Sequence, residues 1–174
     1  MLCYSESSSI AVLKGFQCGV PDMDDFINDG LEEFLQNDPH YHFYTVSNNE
    51  QGIVAMLVTS QGGFVDYNND YLHLPFGKPW GFLNEDAQLQ TRMMYRTLEI
   101  DYLAVRKDLR EKGYGTRIIS DLSTIARDKE LYFITVEAYC KGDYSAIPFY
   151  EKMGFFPLQA YSSQYDTLRM ALRL

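Results

Sequence analysis

Apolar positions recur at helical spacing between residues 21 and 37. Met23, Phe26, Ile27, Leu31, Phe34 and Leu35 fall on one face, and Pro21 and Asp22 stand where a helix opens. Upstream, "IAVLK" at 10–14 predicts a short strand. Downstream, "YHFYTVS" and "GIVAMLVTS" are β-rich and flank the turn signal "NNEQG", so a hairpin is expected. Residues 61–90 lose any clear period, and an excursion of that length is either functional or mobile. Order returns with "MYRTLEIDYLAV" (94–105), a long strand, followed by a helix over 113–129 with Ile118, Ile119, Leu122, Ile125 and Ala126 on one face. "LYFITVEAY" predicts another strand, "DYSAIPFYEKM" a short helix, and "GFFPL" and "TLRMALRL" two closing strands. Strand alternating with helix argues for a mixed α/β sheet covered by helices. No internal repeat or linker interrupts the chain, so residues 1–174 read as a single domain.

Composition narrows the class. The 174 residues are 46% apolar and 15% aromatic, which excludes a disordered chain. The opening "MLCYSESSSI" lacks the basic segment and apolar core of a signal peptide, and no window approaches a membrane span of roughly 18 apolar residues. Cys3, Cys18 and Cys140 are scattered and unpaired in spacing, as reduced thiols of a cytoplasmic protein would be. The net charge of −9 is unevenly spread. Residues 1–90 hold 13 Asp/Glu against 2 Lys/Arg, whereas residues 91–174 hold 11 against 13. The first half therefore repels anions and the second tolerates them.

The tolerant half carries a candidate anion site. After the strand ending at Val105, the chain turns through Arg110, Glu111, Lys112, Gly113, Tyr114 and Gly115 and enters a helix. A helix start offers unpartnered N–H groups and the positive end of the dipole, and glycine lets an anion approach the backbone. A phosphate-binding P-loop is excluded because no G-x-x-x-x-G-K-[ST] string occurs. A dinucleotide fingerprint fails too, since Ile118 stands where the third glycine belongs. The plainer alternative is that Gly113 and Gly115 only shape a helix entry.

Arg110-x-x-Gly113-x-Gly115 after a strand resembles the acetyl-CoA motif [QR]-x-x-G-x-[GA] of the GCN5-related N-acetyltransferase (GNAT) family. "AIPFYEKMGF" (146–155) resembles that family's second motif, A-x-x-x-Y-x-x-x-G-F. The resemblance runs from about Leu98 to Phe155. It implies a mixed, mostly antiparallel central sheet of about six or seven strands flanked by helices, with acetyl-CoA as co-substrate and no metal. It further implies that backbone amides from Leu109, Arg110, Glu111, Lys112, Gly113, Tyr114, Gly115 and Thr116 take the pyrophosphate. Leu103, Ala104 and Val105 would pair with the pantetheine arm as an added strand does. Where the family often has Asn, seven residues before the motif tyrosine, this chain has Asp143, which keeps an acceptor and loses the amide donor.

Transfer of an acetyl group to an amine requires a base, a held geometry and a leaving thiolate that is best protonated. By the resemblance, Tyr150 stands near the thioester sulfur, touches the cofactor and acts as acid. For the base, period 2 places Glu99, Asp101, Leu103 and Val105 on one strand face. Two acids on a central strand are unusual unless water or substrate reaches them. Glu99 occupies the place of the glutamate base in histone-type members. Glu137 is a further acid at the end of the next strand, and Glu99 paired with a basic residue such as Arg96 is the structural alternative. His40 and His42 share a strand face but lack a third ligand, and Cys140 lacks a histidine partner.

"FQCGVPDMDDFI" (16–27) resembles the F-x-C-G-x-x-x-L-D-x-F-L opening of a subgroup that includes tRNA-acetylating toxins, with Met23 in place of leucine. Its alternative role is to cap and staple the first helix. A polyanion needs Lys/Arg to neutralise phosphates, and residues 1–90 supply only Lys14 and Lys78. The expectation is therefore a cytoplasmic acetyl-CoA-dependent N-acetyltransferase, monomeric or homodimeric. Its acceptor would be a small-molecule or peptidic primary amine, with neither nucleic acid nor membrane as a partner. A tRNA-acetylating toxin and a non-catalytic acetyl-CoA-binding module are the alternatives.

Overall fold

The computed structural model describes residues 1–66, 94–158 and 164–174. Its strands are β1 (Cys3–Glu6), β2 (Tyr41–Asn48), β3 (Gly52–Asp66), β4 (Met94–Val105), β5 (Phe133–Lys141), β6 (Tyr144–Ser145), β7 (Phe156–Pro157) and β8 (Thr167–Arg173). They hydrogen-bond in the order β1-β2-β3-β4-β5-β8-β7, with β6 on β5. Helices α1 (Pro21–Asp25), α2 (Leu31–Asn37), α3 (Tyr114–Asp128) and α4 (Ile147–Lys152) complete the mixed α/β fold. The described residues hold eight strands against the expected six or seven, because β1 and the two-residue β6 carry no alternating apolar signal. The chain divides into two compact units, Met1–Gln61 with Glu99–Ile125, and Gly62–Leu98 with Ala126–Leu174.

In the first unit, β1 and β2 pair antiparallel from Cys3↔Ser47 to Glu6↔Tyr44. β2 and β3 pair antiparallel from Tyr41↔Ser60, with a register shift between Val46 and Ser47. The Asn48 side-chain amide oxygen closes their turn by accepting from the Glu50 and Gln51 N–H groups at 3.1 and 2.6 Å. Val54 to Val58 are all buried, so β3 is covered on both faces, as its unbroken apolar run demands. The expected helix over 21–37 forms with an interruption: a π turn, Phe26–Gly30, separates α1 from α2. A Cβ on Gly30 would lie 3.0 Å from the Phe26 ring, so glycine is what lets that ring fold back over the turn.

Two expectations on this unit need correction. "IAVLK" is no strand: Ile10–Leu13 form a 3₁₀ turn capped by Ser9, whose Oγ accepts from the Ala11 N–H. Only Leu13 of that turn is buried. On α3, Ile118, Ile119, Leu122 and Ala126 are buried, but Ile125 is 41% exposed. At 100° per residue Ile125 sits about 70° from the centre of the arc these four span, just outside its edge.

In the second unit, β5 and β8 pair antiparallel from Phe133↔Arg173 to Tyr139↔Thr167. β7 pairs with β8 through Phe156↔Ala171. Val65, Phe133, Leu158 and Ala171 form a buried cluster against which Phe156 packs. The helix expected over 143–153 is shorter at its start, because Tyr144 and Ser145 fold back on Lys141 and Cys140 as β6. Gly154, at φ +89°, ends α4, and the Phe155 N–H donates to the Tyr150 carbonyl at 3.0 Å. Of the irregular stretch 61–90, residues 61–66 continue β3, and the remainder lies outside the described residues.

Phe43, on β2, is 2% exposed and among the largest fully enclosed side chains. Phe43→Ala should lower unfolding stability by about 3–5 kcal/mol, the usual cost of removing a buried phenylalanine. Urea denaturation of wild type and variant, followed by circular dichroism, measures that difference.

Candidate functional site

The turn after β4 is held by the backbone of distant segments. The Arg106 N–H donates to the Val54 carbonyl at 2.9 Å, and the Lys107 N–H donates to the Gln17 carbonyl at 2.8 Å. The Arg106 guanidinium reaches the Gln51 and Ile53 carbonyls, both at 2.9 Å, and pairs with Asp108 at 2.7 Å. These bonds tie the exit of β4 to the β2–β3 turn and to the segment before α1.

Within the turn, Lys107–Leu109 form a 3₁₀ turn with Leu109 buried. The Leu109 N–H donates to Arg106 at 2.9 Å and the Arg110 N–H to Lys107 at 3.4 Å. Those two amides are therefore occupied, which narrows the expected cradle of Leu109 to Thr116. The first helical bond of α3 runs from the Arg117 N–H to the Gly113 carbonyl. The amides of Tyr114, Gly115 and Thr116 precede it and have no intrahelical acceptor. Glu111 and Gly113 take positive φ values of 60° and 84°, bending the stretch into a concave nest. A Cβ on Gly113 would meet nothing within 4 Å, so its requirement for glycine is conformational rather than steric.

A cavity of about 320 Å³ adjoins the nest, lined by Asn48, Lys112, Gly113, Tyr114 and Arg117 among others. Asn48 Nδ2 donates to the Tyr114 hydroxyl at 2.9 Å, fixing that ring at the wall. Two cationic side chains and a row of backbone donors suit a phosphate group. Leu103, Ala104 and Val105 form the last residues of β4, with Ala104 buried and the other two half-buried.

The Phe16–Ile27 motif sits against this turn. The Asp24 carboxylate accepts from the Cys18 and Gly19 N–H groups at 2.6 and 3.0 Å. Arg110 Nη1 donates to the Cys18 carbonyl at 3.5 Å. Gly19 has φ +80°, and a Cβ there would come within 2.9 Å of the Lys107 side chain. Burial and Asp24 push the Cys18 thiol up to about 11, so it remains protonated. The motif does brace the first helix, and it also buttresses the cradle turn. No spacing rule reveals that second contact, which depends on how the chain folds back.

Glu99 and Asp101 are half-buried on β4. Ser60 Oγ donates to Asp101 Oδ1 at 3.2 Å, and the buried Asp101 Oδ2 has no hydrogen-bond partner among the described residues. Burial, the Glu99 charge and the Asp38 charge raise the Asp101 carboxyl to about 6 against the lowering effect of the Ser60 hydrogen bond. Glu137 is exposed and accepts from Thr167 Oγ1 at 3.1 Å.

The second unit holds the remaining expected residues. Tyr150 is 5% exposed on α4, edge-on to Phe149 and Phe155 at ring separations of 5.0 and 5.1 Å. Burial first, and Tyr144 second, raise its phenol above the usual tyrosine range. Asp143 is exposed at the Gly142-Asp143 turn between β5 and β6. The Cys140 thiol is raised by burial and Asp166, which keeps it from being a ready thiolate. His40 pairs with Asp38 and His42 with Glu6, both at the surface, and no metal-binding group occurs among the described residues.

The acetyltransferase (GNAT) family model matches residues 11–155. Among solved structures, a bacterial toxin aligns over 99% of this chain and 90% of its own, at 15% identity and TM-score 0.68. AtaTR bound with acetyl-CoA aligns over 98% and 93%, at 16% identity and TM-score 0.64. AtaT complexed with acetyl-methionyl-tRNAfMet aligns over 97% and 94%, at 16% identity and TM-score 0.63. A KacTA–DNA complex is also similar, at 16% identity, with 98% and 93% covered and TM-score 0.59. The expectation that nucleic acid is no partner is overturned by these last two. It rested on the charge of residues 1–90, whereas 13 of the 15 Lys/Arg lie in residues 91–174. No described helix is long and apolar enough to cross a membrane. The chain belongs to the acetyltransferase (GNAT) family, and it is an N-acetyltransferase that takes its acetyl group from acetyl-CoA.

Proposed function

We propose that the acceptor is the α-amine of an aminoacyl-tRNA, acetylated by direct attack on the acetyl-CoA thioester. The observation that carries this reading is the Phe16–Ile27 motif of the tRNA-acetylating subgroup, bound through Asp24 and Cys18 to the segment beside the cradle turn. Similarity to AtaT complexed with acetyl-methionyl-tRNAfMet over 97% of the chain supports it. In this reading the amides of Glu111 to Thr116, with Lys112 and Arg117, receive the pyrophosphate. Leu103 to Val105 pair with the pantetheine amides, and Asp143 accepts a hydrogen bond. Tyr150, kept protonated by burial, donates a proton to the departing sulfur. Arg110 acts by positioning the turn.

A second reading is favoured by one observation, the 13 Asp/Glu against 2 Lys/Arg in residues 1–90. An acidic approach concentrates cations, which suits a polyamine, an aminoglycoside-like compound or a peptide amine. Purified protein with labelled acetyl-CoA, offered a charged tRNA pool, deacylated tRNA and a panel of free amines, separates the two. Label is expected on charged tRNA alone. Transfer to free amines with charged tRNA inert would establish the second reading instead.

Two variants test the assigned roles. Gly113→Val forces a β-branched residue into positive φ and should weaken CoA binding at least tenfold, read by calorimetry on folded protein. Unchanged affinity would remove the cradle assignment. Tyr150→Phe should lower kcat by roughly 10²–10⁴, the usual range for one proton-transfer group, while CoA affinity holds. Full turnover in that variant would show that the thiolate leaves unaided.

A further inference from the structure

Asp24 does not cap the helix it belongs to. A capping side chain accepts from amides of the helix's own first turn, and Val20, the N-cap of α1, makes no side-chain cap bond. Asp24 reaches backwards out of the helix and accepts from the Cys18 and Gly19 N–H groups instead. These two donors belong to consecutive peptide groups, and the carbonyl end of each meets the cradle turn. The Gln17–Cys18 peptide holds Asp24 Oδ1 at its N–H, at 2.6 Å, and the Lys107 N–H at its carbonyl, at 2.8 Å. The Cys18–Gly19 peptide holds Asp24 Oδ2 at 3.0 Å and, at its carbonyl, Arg110 Nη1 at the longer distance of 3.5 Å. One carboxylate thus stands behind both contacts. Gly19, at φ +80°, adds a third: a Cβ there would lie 2.9 Å from Lys107 Cγ and Cδ, so the bare glycine lets the Lys107 side chain lie across the loop.

A trans peptide is planar, with its N–H and C=O on opposite edges, so holding one end aims the other. Both of these peptides are trans. A carboxylate binds an N–H more strongly than a neutral acceptor does. Hydrogen bonds in a chain also polarise one another, which makes each carbonyl a better acceptor for the cradle turn. Cys18 is buried and Asp24 half-buried, so the carboxylate is partly shielded from competing water. Lys107 and Arg110 bracket the short turn over the buried Leu109, and Glu111 to Thr116 follow directly. The aim of those two residues therefore sets the direction in which the later amides leave.

We propose that Asp24 is a positioning residue for the cofactor. Through the Gln17–Cys18 and Cys18–Gly19 peptides it fixes Lys107 and Arg110, and with them the geometry of the amides that take the pyrophosphate. Both of its carboxylate oxygens are engaged by backbone amides, so it acts on the cofactor only through the turn. The inference rests on the cradle assignment made above.

The test uses the full chain, with CoA affinity read by calorimetry and the fold by thermal melts without ligand. Asp24→Asn keeps the side chain's shape but turns an N–H donor towards one of the two amides, releasing one peptide. It should weaken CoA binding about fivefold or more, the scale of one lost hydrogen bond to a charged group. Asp24→Ala releases both peptides and should weaken binding further; Asp24→Asn carries the test if the alanine variant fails to fold. Asn28→Ala is the control. It removes the bond from Asn28 Nδ2 to the Asp24 carbonyl at 2.6 Å, loosening the same stretch of helix without touching either peptide. Its CoA affinity should stay within about twofold of wild type, since no bond to the cradle turn is lost. With whichever acceptor proves active, Asp24→Asn should raise the KM for acetyl-CoA in the same proportion while kcat holds. Affinity that merely follows the fall in melting temperature across all three variants, or a loss in kcat with KM unchanged, overturns the positioning role. Gly113→Val separates the two readings. If it weakens CoA binding and Asp24→Asn does not, the positioning role alone fails; if neither does, the cradle assignment fails with it.

Discussion

Backbone N–H groups attract an anion only where the chain holds them in place without using them. In this protein the turn from Arg106 to Gly113 meets that constraint by borrowing partners from elsewhere. Its first amides and the Arg106 guanidinium are spent on Val54, Gln17, Gln51 and Ile53. Leu109 is buried beneath it. The amides that follow are then left facing outward as α3 begins. Glu111 in the left-handed region costs strain that an ordinary loop would relax away, and the external bonds are what keep it.

The same logic extends to the segment before α1. Asp24 gives both carboxylate oxygens to the Cys18 and Gly19 amides, which fixes the loop whose carbonyls receive Lys107 and Arg110. Helix start and cofactor turn are thus two ends of one hydrogen-bonded assembly. Substituting Asp24 would be felt at the cradle although the residue touches no phosphate donor.

Legibility in the sequence followed the range of the interaction. β4 was readable to both its ends because "MYRTLEIDYLAV" is long and rich in strand formers, and α3 because its apolar residues recur at helical spacing from Ile118 to Ala126. The two glycine motifs were readable because their chemistry is local. β1 was not, since "CYSE" is held by pairing with β2 rather than by burial. The 3₁₀ turn at 10–13 carries the same apolar letters as a strand, and only the Ser9 cap distinguishes it. The π turn depends on a ring folding over Gly30, a tertiary event invisible to periodicity. In the site, period 2 put Glu99 and Asp101 on one face. It could not say that Ser60 would engage one oxygen of Asp101 while the other finds no partner among the described residues.

Charge summed over half a chain misled where charge at a point informs. Residues 1–90 are acidic overall, and that sum alone argues against a polyanion. Long-range repulsion between solvated charges fades over about 8–10 Å at moderate salt, whereas a half-buried carboxylate acts over contact distance and is hardly screened. An acceptor whose reacting end is a cationic amine, and whose far end is a polyanion, makes opposite demands at the two places. In the reading proposed above, the first demand falls to the acids on β4, Glu99 and Asp101. The second falls to the Lys/Arg of residues 91–174, which hold 13 of the chain's 15. An acidic half and a nucleic-acid-linked substrate are therefore compatible, provided that the acid lies where the amine must lose its proton.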